Sequence, residues 1–233
     1  MRERLSPWIL LLCAFLLFFI IYLTGAVWPL FISSRGLGEG TLGLILGFYG
    51  LALFVARLPI GFLSDVLVGH RRIIISAGFF CITLGLILPV LSTSAWPLFA
   101  SRILMGVGGG SFVAIAVLYT LYSSSRSTMF GMAVVASFFG WGQIPGNPLG
   151  GWLADRFDVL TPFWVSALIA IAAGVLALAI IGPDQERTPR QKVLLPRSAK
   201  LYIMSAMMAV VFFALFATVY DVTQLYAASQ LGV

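Results

Sequence analysis

Seven times along this chain a long apolar stretch recurs between short polar or charged runs, near residues 7–32, 41–64, 73–91, 96–122, 128–153, 161–182 and 201–227. About twenty apolar residues suffice for a helix to cross the hydrocarbon core of a bilayer, at a rise of about 1.5 Å per residue. Helices also close their own backbone hydrogen bonds, which lipid cannot do for them. The chain is 61% hydrophobic and 9% charged, too few polar residues to cover a water-soluble globule. A soluble enzyme is excluded, and the expected fold is an all-α polytopic membrane protein with the lipid bilayer as its solvent.

Fourteen basic against eight acidic residues give a net charge of +6. The cations lie in short runs between spans and not on one basic face with interleaved aromatics, so nucleic acid is not an expected partner. Topology accounts for them. With the N-terminus cytoplasmic, the inner segments hold Arg2, Arg4, Arg71, Arg72, Arg126, Arg187, Arg190, Lys192, Arg197 and Lys200, and the outer loops hold Arg35 and Arg156. The first apolar run is too long for the hydrophobic part of a cleaved signal peptide and reads as a retained span. Cys13 and Cys81 lie within apolar runs without metal-ligand spacing, so neither a disulfide framework nor a metal site is expected.

Residues 183–200, with prolines at 183, 189 and 196, read as a cytoplasmic linker between a six-helix bundle over 1–182 and a further helix in 201–233. The end at Val233, just past a span, reads as a chain cut short. Gly61-Phe62-Leu63-Ser64-Asp65 closes the second span and Gly151-Trp152-Leu153-Ala154-Asp155 closes the fifth. Second and fifth are equivalent places if the six helices are two groups of three, and an odd number of crossings puts the copies on opposite sides. Two inverted three-helix repeats are therefore expected. Ser6-Pro7 and Thr161-Pro162 read as helix starts, where a proline costs no hydrogen bond.

Three stretches carry a resemblance to the major facilitator superfamily. Gly61 to Arg72 is similar to the family's loop signature between the second and third helices, with Val66 standing where a cation is usual and one extra residue before Gly69. Arg102-Ile-Leu-Met-Gly106-Val-Gly108-Gly109-Gly110 resembles the intramembrane arginine followed by spaced glycines. Gly142-Gln143-Ile-Pro145-Gly146-Asn147-Pro148-Leu-Gly150-Gly151 is similar to a glycine-proline signature associated with antiporters. The resemblance implies a secondary transporter with two six-helix bundles, the solute path between them, and efflux or exchange of a small organic solute coupled to protons, without cofactor or covalent chemistry. It also implies a gating loop of Gly61, Asp65, Gly69, Arg71 and Arg72.

The residues themselves support parts of that picture. A carboxylate at a helix end facing a basic pair can be made and broken as domains rock. Gly106 and Gly110 in the fourth span, and Gly142, Gly146, Gly150 and Gly151 with Pro148 in the fifth, are expected at helix-packing seams, where small residues let backbones approach. An intramembrane cation costs at least about 2.5–3.5 kcal/mol, so Arg102 calls for a cavity, a carboxylate or a substrate, unless it snorkels to the headgroups. Arg57 shares a helix face with Gly61 and Asp65 and is placed to reach the carboxylate or another helix, unless it snorkels to the cytoplasmic surface. Asp221, the acidic residue within the seventh apolar run, is a coupling candidate unless, about 30 Å along the helix from Leu201, it already lies in the outer interface. Trp28 and Gln143, with Tyr22, Thr24, Trp141 and Asn147, offer cavity-lining groups. The alternatives are a complete seven-helix receptor or a membrane scaffold. The lone His70 lies in a loop and no catalytic constellation is present.

Overall fold

The computed structural model describes residues 2–67, 69–91, 94–122 and 128–182, together with Ala199, Ile203 and Met207, which are helical. The chain divides into two compact units, Met1–Thr188 and Pro189–Val233. Eight helices are described: α1 (Arg2–Gly25), α2 (Trp28–Ser34), α3 (Glu39–Val66), α4 (Arg71–Leu91), α5 (Ala95–Gly109), α6 (Phe112–Tyr122), α7 (Thr128–Arg156) and α8 (Thr161–Ala177). They make six crossings, because α1 with α2 and α5 with α6 are each one span interrupted by a turn. Four spans, Leu5–Ser34, Gly40–Val66, Arg71–Leu91 and Ala95–Tyr122, are long and apolar enough to cross a membrane on length and composition alone. The fifth crossing, α7, is long enough but diluted by glycine, proline and amides, and α8 is shorter.

The interruptions have local causes. Pro29 sits in the first turn of α2, where its missing N–H is harmless. Gly108-Gly109-Gly110 ends α5, and the backbone tightens there to three-residue hydrogen bonds, Gly110 N–H to Val107 at 3.1 Å and Ser111 N–H to Gly108 at 3.0 Å. Pro162 starts α8 as the sequence leads one to expect. Ser6-Pro7 does not start a helix. α1 begins at Arg2 and carries Pro7 inside it. Ser6 instead accepts a hydrogen bond at 3.1 Å from the Ile181 N–H, and the Tyr122 hydroxyl donates to the Ile181 carbonyl, so the chain leaving α8 is tied to both α1 and α6.

Packing follows the repeat. The first crossing lies on the fifth and sixth, the fourth lies on the second and third, and the third lies on the sixth. Exchanging the first three crossings for the last three maps this pattern onto itself, as an inverted repeat requires. The seam between α5 and α3 is closed by Gly106 and Gly110. A Cβ on Gly106 would stand 2.5 Å from the Tyr49 carbonyl oxygen and 2.8 Å from Ala52 Cβ, and one on Gly110 would meet Ile60 at 2.8 Å and Ala56 at 3.4 Å. The equivalent seam, α1 on α7, is closed by Gly142 against Phe18 and Phe19, Gly146 against Tyr22 and Leu23, and Gly150 against the Leu23 backbone.

Shifted by the 90 residues that separate Gly61 from Gly151, Ala52, Ala56 and Ile60 correspond to Gly142, Gly146 and Gly150. The two seams are thus the same seam, with the glycines on the fourth crossing in one copy and on the fifth in the other. Gly151, expected in this seam, would meet nothing within 4 Å, and Pro148 lies on the exposed side. One residue turns a helix by about 100°, so Gly150 and Gly151 cannot face the same neighbour.

Candidate functional site: a clasped inner turn and a buried arginine

The turn between α3 and α4 is built on Gly69, whose φ of +85° lies in the left-handed region that glycine adopts without cost. The His70 N–H bonds back to the Leu67 carbonyl at 2.9 Å, which aims Arg71 into the helix pair at the first position of α4. Arg71 is buried. Its Nε donates to the Ser64 carbonyl at 3.1 Å and to Ser64 Oγ at 3.0 Å, while a terminal nitrogen stands 3.9 Å from Asp65 Oδ1. Arg72 is exposed.

The basic pair is therefore split. Arg71 is seated mainly on Ser64, a residue that sequence reasoning passed over as merely small, and Asp65, 52% exposed, reaches it only from the side. Arg57 is exposed, and among the described residues the ion partner of Asp65 is Arg71, not Arg57. In the second copy Ala154 replaces Ser64 and Thr161 stands where Arg71 does, so the echoed carboxylate Asp155 is exposed without that clasp. The position tolerates alanine sterically, and the Ser64 hydroxyl is thus a specific addition. Ser64→Ala should lower stability by about 1–3 kcal/mol through loss of one bond to a buried guanidinium, read as a fall in the detergent-purified protein's thermal midpoint.

On the opposite side of the bundle, Arg102 lies seven residues into α5, about 10 Å from its start. It is 9% exposed and does not snorkel. Its guanidinium carbon lies 4.5 Å over the Trp28 ring and 5.3 Å from the Tyr49 ring centre. Two aromatic faces take part in holding it, and a desolvated cation–π contact of about 2 kcal/mol or more is of the size of the burial cost. Trp28 is fully buried and set by edge contacts to Phe163 at 5.0 Å and Phe31 at 6.0 Å. Its place beside Arg102 is a packed one and not that of an open cavity wall.

Gln143 and Asn147 stand one turn apart on α7, both half-buried, at the flank of the glycine ridge, with Trp141 exposed beside them. Asp221 lies outside the described residues. The site residues of the described bundle thus form three separate groups: the inner clasp, the Arg102 aromatic seat, and the polar flank of α7.

A helical bundle of two equivalent triplets, with an arginine buried in its fourth crossing, fits the family that the sequence resembles. The profile of the Major Facilitator Superfamily matches residues 10–233, and the chain belongs to that family. Among curated relatives, the inner membrane transport protein YajR of Escherichia coli is 27% identical over 149 residues, 64% of this chain and 32% of that protein. The class B tetracycline resistance protein of Escherichia coli is 27% identical over 150 residues, 64% of this chain and 36% of that protein. An uncharacterised transporter of the same type from Methanocaldococcus jannaschii is 28% identical over 153 residues, 65% of this chain and 39% of that protein. The aligned region spans about a third of the length of each. The family and these relatives, by their names, are membrane transporters.

Proposed function

We propose that the whole protein moves a small organic solute across the cell membrane by alternating access, as efflux or exchange coupled to protons, with the N-terminus and the α3–α4 turn cytoplasmic. On this reading residues 1–182 are the first bundle, 183–200 a cytoplasmic linker, and 201–233 the first helix of a second bundle. The observation that carries it is the pair of inverted triplets packed through equivalent seams, since a repeat with two opposed copies can present one site to either side in turn. The clasp supports a gating role for Gly61, Asp65, Gly69, Arg71 and Arg72: Arg71 stays anchored on Ser64 while the exposed Asp65 is free to exchange partners as domains move. The name of the tetracycline resistance relative favours the efflux direction. Arg102, Gln143 and, in the seventh apolar run, Asp221 are the coupling or substrate residues of this reading, with Trp28 acting through its packed contact on Arg102.

The test is solute counterflow in proteoliposomes of the full-length protein, with and without a pH gradient, over labelled sugars, amino acids and organic cations. A pH gradient should drive movement of one class, with protons moving the opposite way. Asp65→Asn should slow it by about tenfold, roughly 1.4 kcal/mol in the barrier, without changing the thermal midpoint. Absence of movement for every solute under every gradient sinks the reading.

A further inference from the structure

The first crossing is broken at Gly25–Val27, between α1 and the seven-residue α2. Pro29 cannot donate to the Gly25 carbonyl four residues back, so that rung of the helical ladder is missing. The Thr24 hydroxyl donates back to the Ile20 and Ile21 carbonyls at 3.2 and 3.3 Å, a bond that favours bending. A Cβ on Gly25 would meet nothing within 4 Å, so the break is not wedged by a neighbour. At the far end of α2, Gly36 turns the chain with a φ of +69°. A helix this short does not persist alone, and α2 is held by what it packs against.

That hold is aromatic. Trp28 stands edge-on to Phe163 of α8 at 5.0 Å, Phe31 lies 5.2 Å from the same ring, and Arg35 lies 4.8 Å over Phe31. The other side of Trp28 covers Arg102 at 4.5 Å. Arg102 and its second ring, Tyr49, belong to α5 and α3, whose backbones meet closely at Gly106. Of the two rings on the cation, Trp28 is thus the one carried by a short segment next to a break.

Two sets of forces oppose each other there. Burial of Trp28, Pro29, Phe31 and Ile32 and the attraction between indole and guanidinium hold α2 down. Against them, Trp28 Nε1 is buried without a hydrogen-bond partner among the described residues, and Arg102 is a buried cation. Water would hydrate both groups if the ring lifted.

We propose that α2 is a lid hinged at Gly25, which opens to admit water to Arg102 from the end of the bundle away from the inner clasp and closes with Trp28 over the cation.

The full-length protein in liposomes is treated with phenylglyoxal, which modifies guanidinium groups within reach of water. Modification of each arginine is followed by mass spectrometry, with the exposed Arg72 as reference. In the unmutated protein Arg102 should react measurably, but at least about tenfold more slowly than Arg72, because reaction waits on local opening. Trp28→Ala should raise the Arg102 rate about tenfold relative to Arg72. Gly25→Ala, which favours continuous helix across the break and meets no neighbour, should lower it about threefold. Ser64→Ala, which loosens the clasp at the other end, should leave the Arg102 rate unchanged while lowering the thermal midpoint. If Trp28→Ala fails to fold, the Gly25 and Ser64 variants decide. Reaction of Arg102 as fast as Arg72, no reaction at all, no slowing in Gly25→Ala, or faster reaction in Ser64→Ala overturns the lid. No solute or gradient enters the measurement, so the carrier reading stands or falls separately.

Discussion

Arg102→Met should abolish gradient-driven transport, by at least about a hundredfold, or roughly 2.7 kcal/mol in the barrier, while leaving the thermal stability of the bundle nearly unchanged. The stability expectation comes from the geometry, and the transport expectation from the proposed carrier reading, in which Arg102 is a coupling or substrate residue. Removing the guanidinium forfeits its contacts with Trp28 at 4.5 Å and Tyr49 at 5.3 Å, about 2 kcal/mol. It also removes a buried cation whose insertion costs about 2.5–3.5 kcal/mol, and methionine fills most of the space. Replacing a buried charge with an apolar side chain of similar volume is often neutral or stabilising. An arginine retained only for structure would show the opposite, with lowered stability and preserved transport. Arg102→Lys should restore little, because a point ammonium does not reproduce a planar stack on an indole. Counterflow rates and thermal midpoints measured on the same preparations decide the matter.

The largest stability effect should separate two adjacent glycines of a single motif. A Cβ on Gly150 would enter the Leu23 backbone of α1, at its carbonyl and Cα, and a backbone cannot swing aside as a side chain can. Gly150→Ala should therefore lower the unfolding free energy by about 2–3 kcal/mol. Gly151→Ala meets nothing within 4 Å and should be neutral or raise stability by up to about 1 kcal/mol, since alanine suits a helix interior better than glycine. Thermal unfolding of both variants in the same detergent checks the pair. Equal losses would mean that the α1–α7 seam is not the one described.

The difference between those glycines marks the limit of what can be read along the chain. The six crossings of the bundle lie at the expected positions, and their pairing into inverted triplets was legible from the repeated Gly-aromatic-Leu-small-Asp pattern, which recurs at equivalent places. The buried Arg102 was legible too, because a cation within an apolar run has few places to go. Its aromatic seat was not. Trp28 lies 74 positions earlier in the chain and Tyr49 on another helix, and any aromatic in a membrane span reads equally as packing or as interfacial belt.

The choice of Ser64 as the seat of Arg71 and the loss of Arg57 as a partner for Asp65 were likewise decided by tertiary packing. In water, the alternation of polar and apolar residues tells which face of a helix is inside. In a bilayer both faces are apolar, since lipid tails and the protein interior are alike as solvents, and that signal vanishes. The amino-acid sequence by itself determined the solvent, the number and order of the described crossings and the repeat, because these depend on hydropathy and chain length. Only the tertiary structure decided which glycine of a ridge meets a neighbour and which aromatic ring covers the cation, because those follow from helix rotation and close backbone approach.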